Sequence, residues 1–364
     1  MSKRNKGRAH GRVMLWSLLI IAVGAMLAPL SGYVYVNVAN AQQQGASQQQ
    51  ATNNGDNWSE TNPRSDYWRA VRRGEIGYST DKTPGGNNLI FSSGQDWRQI
   101  RNGPVATLGG WFLPLVVLAI GLFFIWKGQA KLKEPRTGRT ITRWTLAERI
   151  MHWITATLFI VLAITGLSIL FGRAVLIPLL GPEGFSAWAS VAKLLHNYSG
   201  PLFTVGIVLM IVTWIKDNIP TRTDLTWFKK GGGMLGEHAS AGRMNGGEKA
   251  WFWFIATFGV AVCISGLIFN FPNWVESRFV MQTANIIHAV LAIGWIGLFF
   301  GHAYIGTLGT EGALEGMTTG EVDETWAKEH HDLWYEEVKS APDEAHAQPG
   351  KHSPGSAGPA PRSV

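Results

Sequence analysis

Four histidines of this chain lie in, or at the edge of, stretches apolar enough to cross a bilayer: His152, His196, His288 and His302. An ionisable side chain at membrane depth is costly, which makes each a candidate for chemistry. A lone imidazole there can also be a packing residue that donates to a carbonyl, and for any one of them that reading competes. The spacing argues for more. His288 and His302 stand fourteen residues apart on one apolar run. That interval rises about 21 Å and falls about 40° short of four turns, so both side chains share one helix face at two depths. His152 begins its run on the side where His302 ends its own, and His196 begins on the side where His288 begins. The four fall into two depth-matched pairs, His196 with His288 and His152 with His302.

Two facing imidazoles inside an apolar bundle suit haem, whose iron accepts an axial histidine on each side of the ring. Zinc would want a third or fourth ligand nearby, and no Cys, Asp or Glu clusters at these depths. The only cysteine, Cys263, allows no disulfide, no cysteine-ligated iron–sulfur cluster and no C-x-x-C-H attachment. Proton relay by bare histidines is the remaining functional rival. With both axial positions filled, haem iron has no open site and passes electrons, so two such centres stacked across a bilayer point to transmembrane electron transfer. Gly166, Gly200, Gly206, Gly294, Gly297 and Gly301 would let a broad flat group approach the backbone, although ordinary small-residue helix packing explains them as well.

The elements that must hold these residues follow from hydropathy. The chain has 364 residues, 46% of them hydrophobic, and a formal charge of +7. The apolar residues are gathered into runs of about 18 or more, the length that crosses a hydrocarbon core. Five spanning helices are expected, at 109–127, 149–171, 194–215, 250–271 and 281–306. The fold class is therefore an all-α integral membrane helical bundle, with four haem-binding core helices and an extra N-terminal spanning helix. The core domain covers 139–310. The connections after the first and third spans are rich in Lys and Arg and the other two are not, which puts the first pair in the cytoplasm and the second in the periplasm. That distribution fits a membrane better than nucleic acid, and no nucleic-acid partner is expected.

Upstream, a basic start, an apolar core and Ala39-Asn40-Ala41 read as a signal peptide over 1–41, with an uncleaved anchor as the alternative. Residues 42–108 are expected to be a periplasmic linker and a small loop-rich segment. Residues 311–364 form a cytoplasmic tail with a short polar helix and a Pro/Gly/Ser-rich end. Of the other histidines, His10 lies in the signal region, His238 in a cytoplasmic loop, His330 and His331 in the tail under the bundle, and His346 and His352 near the end. None of these is assigned chemistry. Arg173, Lys193 and the Trp residues at helix ends suit haem propionates or interfacial anchoring equally.

Several segments together resemble a known family: RWTLAERIMHW (143–153), KLLHNYSGPLF (193–203), KDNIPTRTDLTWF (216–228), RMNGGEK (243–249), the H-x13-H of the last span and WAKEHHDLWYEEV in the tail. The ordered set, over about 139–340, is similar to the cytochrome b (gamma) subunit of respiratory formate dehydrogenase. Cytochrome b subunits of nickel–iron hydrogenases and thiosulfate reductases are relatives, and KDNIP and WAKEHH favour formate dehydrogenase. The resemblance implies that the four matching histidines ligate two b-type haems in the pairing above. It implies a quinone site beside His302, lined by Asn245 and Gly247, with a plain turn as the competing reading of RMNGGEK. It also implies an iron–sulfur beta subunit and a molybdenum- or tungsten-containing alpha subunit as partners, in the bacterial inner membrane. The signal region, the periplasmic segment and the extra helix depart from the family's simplest members, and the extension is expected to brace the periplasmic subunits.

Overall fold

Within a bilayer every backbone amide needs an internal partner, so long apolar runs become helices. The structure, a computed structural model, describes residues 63–73, 92–233, 238–275 and 277–340, so the expected signal peptide and the Pro/Gly/Ser-rich tail end lie outside it. Four helical rods are long and apolar enough to cross a membrane: Gly94–Lys127, Leu146–Trp214, Gly246–Asn270 and Arg278–Gly309. The second has 69 residues and breaks at Gly181, where φ is +72°. That backbone conformation suits glycine, and Pro182 then opens the next arm with its fixed φ. The two arms, 146–180 and 182–214, fold back on each other: Gly206 abuts Thr155, and Thr213 reaches Met151. All five expected spans are present in an all-α bundle, with helix continuing through most of the 172–193 connection.

Some boundaries differ from the sequence reading. Helix α1 (Pro63–Arg73) and α2 (Ser92–Ile100) stand in the segment read as loop-rich. Helix α2 runs through a π turn at Arg101–Val105 into α3 (Ala106–Lys127). Gly103-Pro104 looks like a break in the sequence, but the wider π turn accommodates a residue that lacks an N–H. Helix α3 packs along the last span: Gly109 meets Ile293, Phe112 meets Gly297, and Phe123 and Phe124 meet Tyr304 edge-on. Trp97 adds a 3.1 Å hydrogen bond to Asn285. Its other face exposes Trp111, Leu115, Leu118 and Ile125.

Helix α4 (Leu146–Trp214) and α5 (Arg222–Lys229) lead to the fourth span, α6 (Gly246–Phe254) joined by a π turn to α7 (Val260–Asn270), and then to α8 (Arg278–Tyr304). Phe203, Ile207, Ile255, Val262, Cys263, Leu291 and Trp295 form the mid-bundle core. Beyond it, α9 (Ala313–Thr318), α10 (Glu324–His330) and α11 (Asp332–Ser340) build a polar cap. A two-stranded antiparallel ladder ties the cap to the loop after α3, pairing β1 (Thr140–Thr142) with β2 (Glu321–Asp323) through Thr140↔Asp323, Ile141↔Val322 and Thr142↔Glu321. Asp323 reinforces it by accepting from the amides of Gly138 and Thr325, each at 2.8 Å.

Candidate cofactor-binding site

The bundle brings the four sequence-selected histidines together in the expected combinations. His196 and His288 have ring centroids 6.2 Å apart, and His152 and His302 have theirs 6.3 Å apart. A metal–imidazole bond of about 2 Å on each side, plus roughly 1 Å from each bound nitrogen to its ring centre, comes to about 6 Å. The separations therefore fit one metal centre between each pair. Among the described residues no three His, Cys, Asp or Glu side chains gather as a metal cluster. The two imidazoles of each pair would be the residues to hold a haem, which would supply one-electron chemistry there. His302 is exposed in the bundle.

Each member of the His196/His288 pair is held by a neighbouring helix. His196 Nδ1 lies 2.9 Å from Thr165 Oγ1, and His288 Nδ1 lies 3.1 Å from Ser265 Oγ and 3.0 Å from the Val262 carbonyl. Both hydroxyls donate their one hydrogen back to their own helix: Thr165 to Val161 at 2.7 Å and Ser265 to Ala261 at 2.8 Å. Toward the imidazole they can only accept. Nδ1 must then carry the ring proton, which leaves the Nε2 lone pair for a metal. A Cβ at Gly166 would stand 3.1 Å from His196 Cε1, and one at Gly266 would stand 3.1 Å from His288 Cε1. These cradles are one motif used twice, Ile164-Thr165-Gly166-Leu167 and Ile264-Ser265-Gly266-Leu267.

The other pair is built differently. His152 Nδ1 is buried without a hydrogen-bond partner, and His302 stacks on Trp251 at 4.9 Å with a 10° interplanar angle. Between the two pairs Trp295 is 4% exposed, with Phe159 at 5.2 Å and Phe203 at 5.5 Å. Trp295 is seven residues from each histidine of its helix, midway between the depths. Thr165, Ser265, Gly266, Trp251 and Trp295 were not singled out from sequence; the repeated I-[T/S]-G-L and the midpoint position were the available signals.

Several glycines have other duties than sequence suggested. Gly206 accommodates Thr155 and Gly297 accommodates Phe112, so both serve helix packing. Gly301 has open space where its Cβ would be. Asn245 caps α6, its Oδ1 accepting from the Glu248 amide at 3.0 Å while Glu248 returns a bond to the Asn245 amide at 2.8 Å. A Cβ at Gly247 would stand 2.9 Å from Trp227, so the turn lets α5 pack closely. Glu248 also meets Arg143 at 3.1 Å, and Arg143 meets His331 Nε2 at 3.1 Å.

A membrane-spanning helical bundle with histidine pairs at two depths defines the class, a membrane cytochrome b. The family model for prokaryotic cytochrome b561 matches residues 143–320. The formate dehydrogenase cytochrome b556(fdo) subunit of Escherichia coli K12 is 33% identical over 205 residues, covering 55% of this chain and 94% of that protein. The nitrate-inducible formate dehydrogenase cytochrome b556(Fdn) subunit of the same strain is 29% identical over 210 residues, covering 56% and 94%. A formate dehydrogenase cytochrome b556 subunit of Haemophilus influenzae is 29% identical over 215 residues, covering 57% and 87%. The chain belongs to the family of formate dehydrogenase cytochrome b subunits.

Proposed function

We propose that this subunit carries electrons across the membrane, from a periplasmic iron–sulfur partner to quinone, and that it holds two b haems. His196 and His288 would bind one and His152 and His302 the other. Bound there, the haems would supply reversible one-electron transfer at two depths, with no open coordination position for substrate. The residues provide the rest. Thr165 and Ser265 orient two ligands, Trp251 braces a third, and Trp295 with Phe159 keeps the space between the depths dry. The 6.2 and 6.3 Å ring separations carry this reading.

Quinone would bind near His302, where the Asn245 amide nitrogen can donate to a carbonyl while its oxygen keeps the helix cap. Protons for quinol would come from the cytoplasmic side, where Glu248 and the tail lie, so turnover would build a membrane potential. The partners inferred from the relatives are the iron–sulfur and the molybdenum- or tungsten-containing catalytic subunits. The Lys/Arg distribution supports the orientation, with residues 42–108 periplasmic and 311–364 cytoplasmic. The basic start, apolar core and Ala39-Asn40-Ala41 support a signal peptide over 1–41, and the apolar runs that carry the four histidines support a core domain over 139–310.

Reduced-minus-oxidised absorption spectra and haem analysis of the purified protein test the proposal. Two haem b per chain are expected. A chain without haem would leave only a membrane anchor or a proton conductor. A hydrogenase or thiosulfate reductase as donor would be recognised by which subunits co-purify.

A further inference from the structure

The two histidine pairs differ in how their outer nitrogens are satisfied. In the His196/His288 pair both Nδ1 atoms are hydrogen-bonded, at 2.9 Å for His196 and at 3.0 and 3.1 Å for His288. In the other pair His152 Nδ1 is unpartnered, and the ring contact of His302 is the stack on Trp251. A ligand whose outer N–H is engaged by an acceptor pushes more electron density toward its metal, and iron so ligated favours its oxidised state.

We propose that the duplicated I-[T/S]-G-L cradles make His196/His288 the lower-potential of the two sites, with Thr165 as a positioning residue. The inference rests on the two-haem reading above. Each site takes up one electron on reduction, and the ligand N–H protons stay in place. Nearby charge does not reverse the order. Around the other pair Arg143 meets Glu248 at 3.1 Å, Arg243 meets Glu148 at 3.2 Å and Lys249 meets Asp224 at 3.0 Å, while Arg149, which bonds the Thr318 carbonyl and no carboxylate among the described residues, adds positive charge that acts in the same direction as the proposed order. Arg173 and Lys193, on the His196 side, are exposed and lie just beyond the expected spans 149–171 and 194–215, where mobile ions weaken a charge's reach. The order also makes directional sense. Electrons entering at His196/His288 would run downhill toward His152/His302.

The experiment is anaerobic redox potentiometry on the purified complex, after a haem count. Two haems per chain are required by the underlying reading, and a chain without haem ends both. Given two haems, the wild type should show two separable components. Thr165→Val should weaken the preference for oxidised iron about fivefold at one site. At about 59 mV per tenfold for one electron, that moves the lower component up by about 40 mV. Thr165→Ser should keep the wild-type value, and Trp251→Phe should move only the higher component. A Thr165→Val protein retaining a single haem should have kept the higher component. Inseparable wild-type components, a shift of the higher component in Thr165→Val, or a lower component that stays or falls would overturn the inference while leaving the two-haem reading intact.

Discussion

Acidification should loosen the C-terminal cap, and the reason is a single imidazole. His331 is 1% exposed, with Nδ1 2.8 Å from the Gly242 carbonyl and Nε2 3.1 Å from Arg143 Nη2. A guanidinium only donates, so Nε2 must accept and Nδ1 must hold the one ring proton. Burial first, and the Arg143 charge second, hold His331 well below the usual histidine range. The docked residue is therefore neutral. Once the tail lifts, its pKa returns to about 6.5, so the open form binds a proton that the docked form refuses. Docking is fully favoured above about pH 6.5 and weakens below it, because the docked pKa is the lower of the two. One unit below, at about pH 5.5, the loss is about 1.4 kcal/mol, or about tenfold more open tail. Burial shifts His330 in the same direction, so it adds to the effect.

Hydrogen exchange read by mass spectrometry on peptides from 324–340, in nanodiscs and corrected for intrinsic exchange, measures this directly. Protection should fall at least tenfold between pH 7.5 and 5.5, and His331→Gln should remove at least half of that slope. Protection that is constant with pH in the wild type, or an unchanged slope in His331→Gln, would refute the reasoning.

Further outcomes are expected. His288→Ala should lose one of the two haems and stop formate-driven quinone reduction, and a normal two-haem spectrum would contradict its role. Gly166→Val should displace His196, since even the first added carbon stands 3.1 Å from Cε1; haem analysis should show that site lost and the His152/His302 site kept. Asn245→Asp keeps the cap but removes the amide donor, so thermal stability should hold while the apparent KM for quinone rises about tenfold, the worth of one hydrogen bond to a buried carbonyl; an unchanged KM would leave Asn245 with the cap alone. Asp323→Ala removes the acceptor for the amides of Gly138 and Thr325 and the cap of α10. Opening of that clasp should become about 2 to 3 kcal/mol easier, and trypsin should cut near Arg139 at least thirty-fold faster.

The spans and the two-depth arrangement were legible because their causes are local. Apolar length sets a crossing, and 3.6 residues per turn aligns His288 with His302 whatever the neighbours do. Breaks were read less well. Gly103-Pro104 carries turn chemistry, yet a π turn absorbs it, and Gly181-Pro182 interrupts a helix where a longer loop was expected. Those outcomes depend on what the adjoining helices pack against. The glycines illustrate the same limit, since a missing side chain shows in the sequence but the group that fills the space does not. Thus Gly166 faces an imidazole and Gly297 faces Phe112.

By itself, then, the sequence determined where the described residues form apolar runs long enough to cross a membrane, which histidines share a helix face, and that histidine is the titratable type placed along those runs. Tertiary structure decided how those ligands are held. Thr165 and His196 are 31 residues apart, Ser265 and His288 are 23 apart, and Arg143 and His331 are 188 apart. A hydroxyl that spends its hydrogen on its own helix can fix the tautomer of a histidine on another only once the two helices are packed. Such contacts have no local periodicity to betray them, because hydrogen bonding acts over about 3 Å of space and is indifferent to distance along the chain.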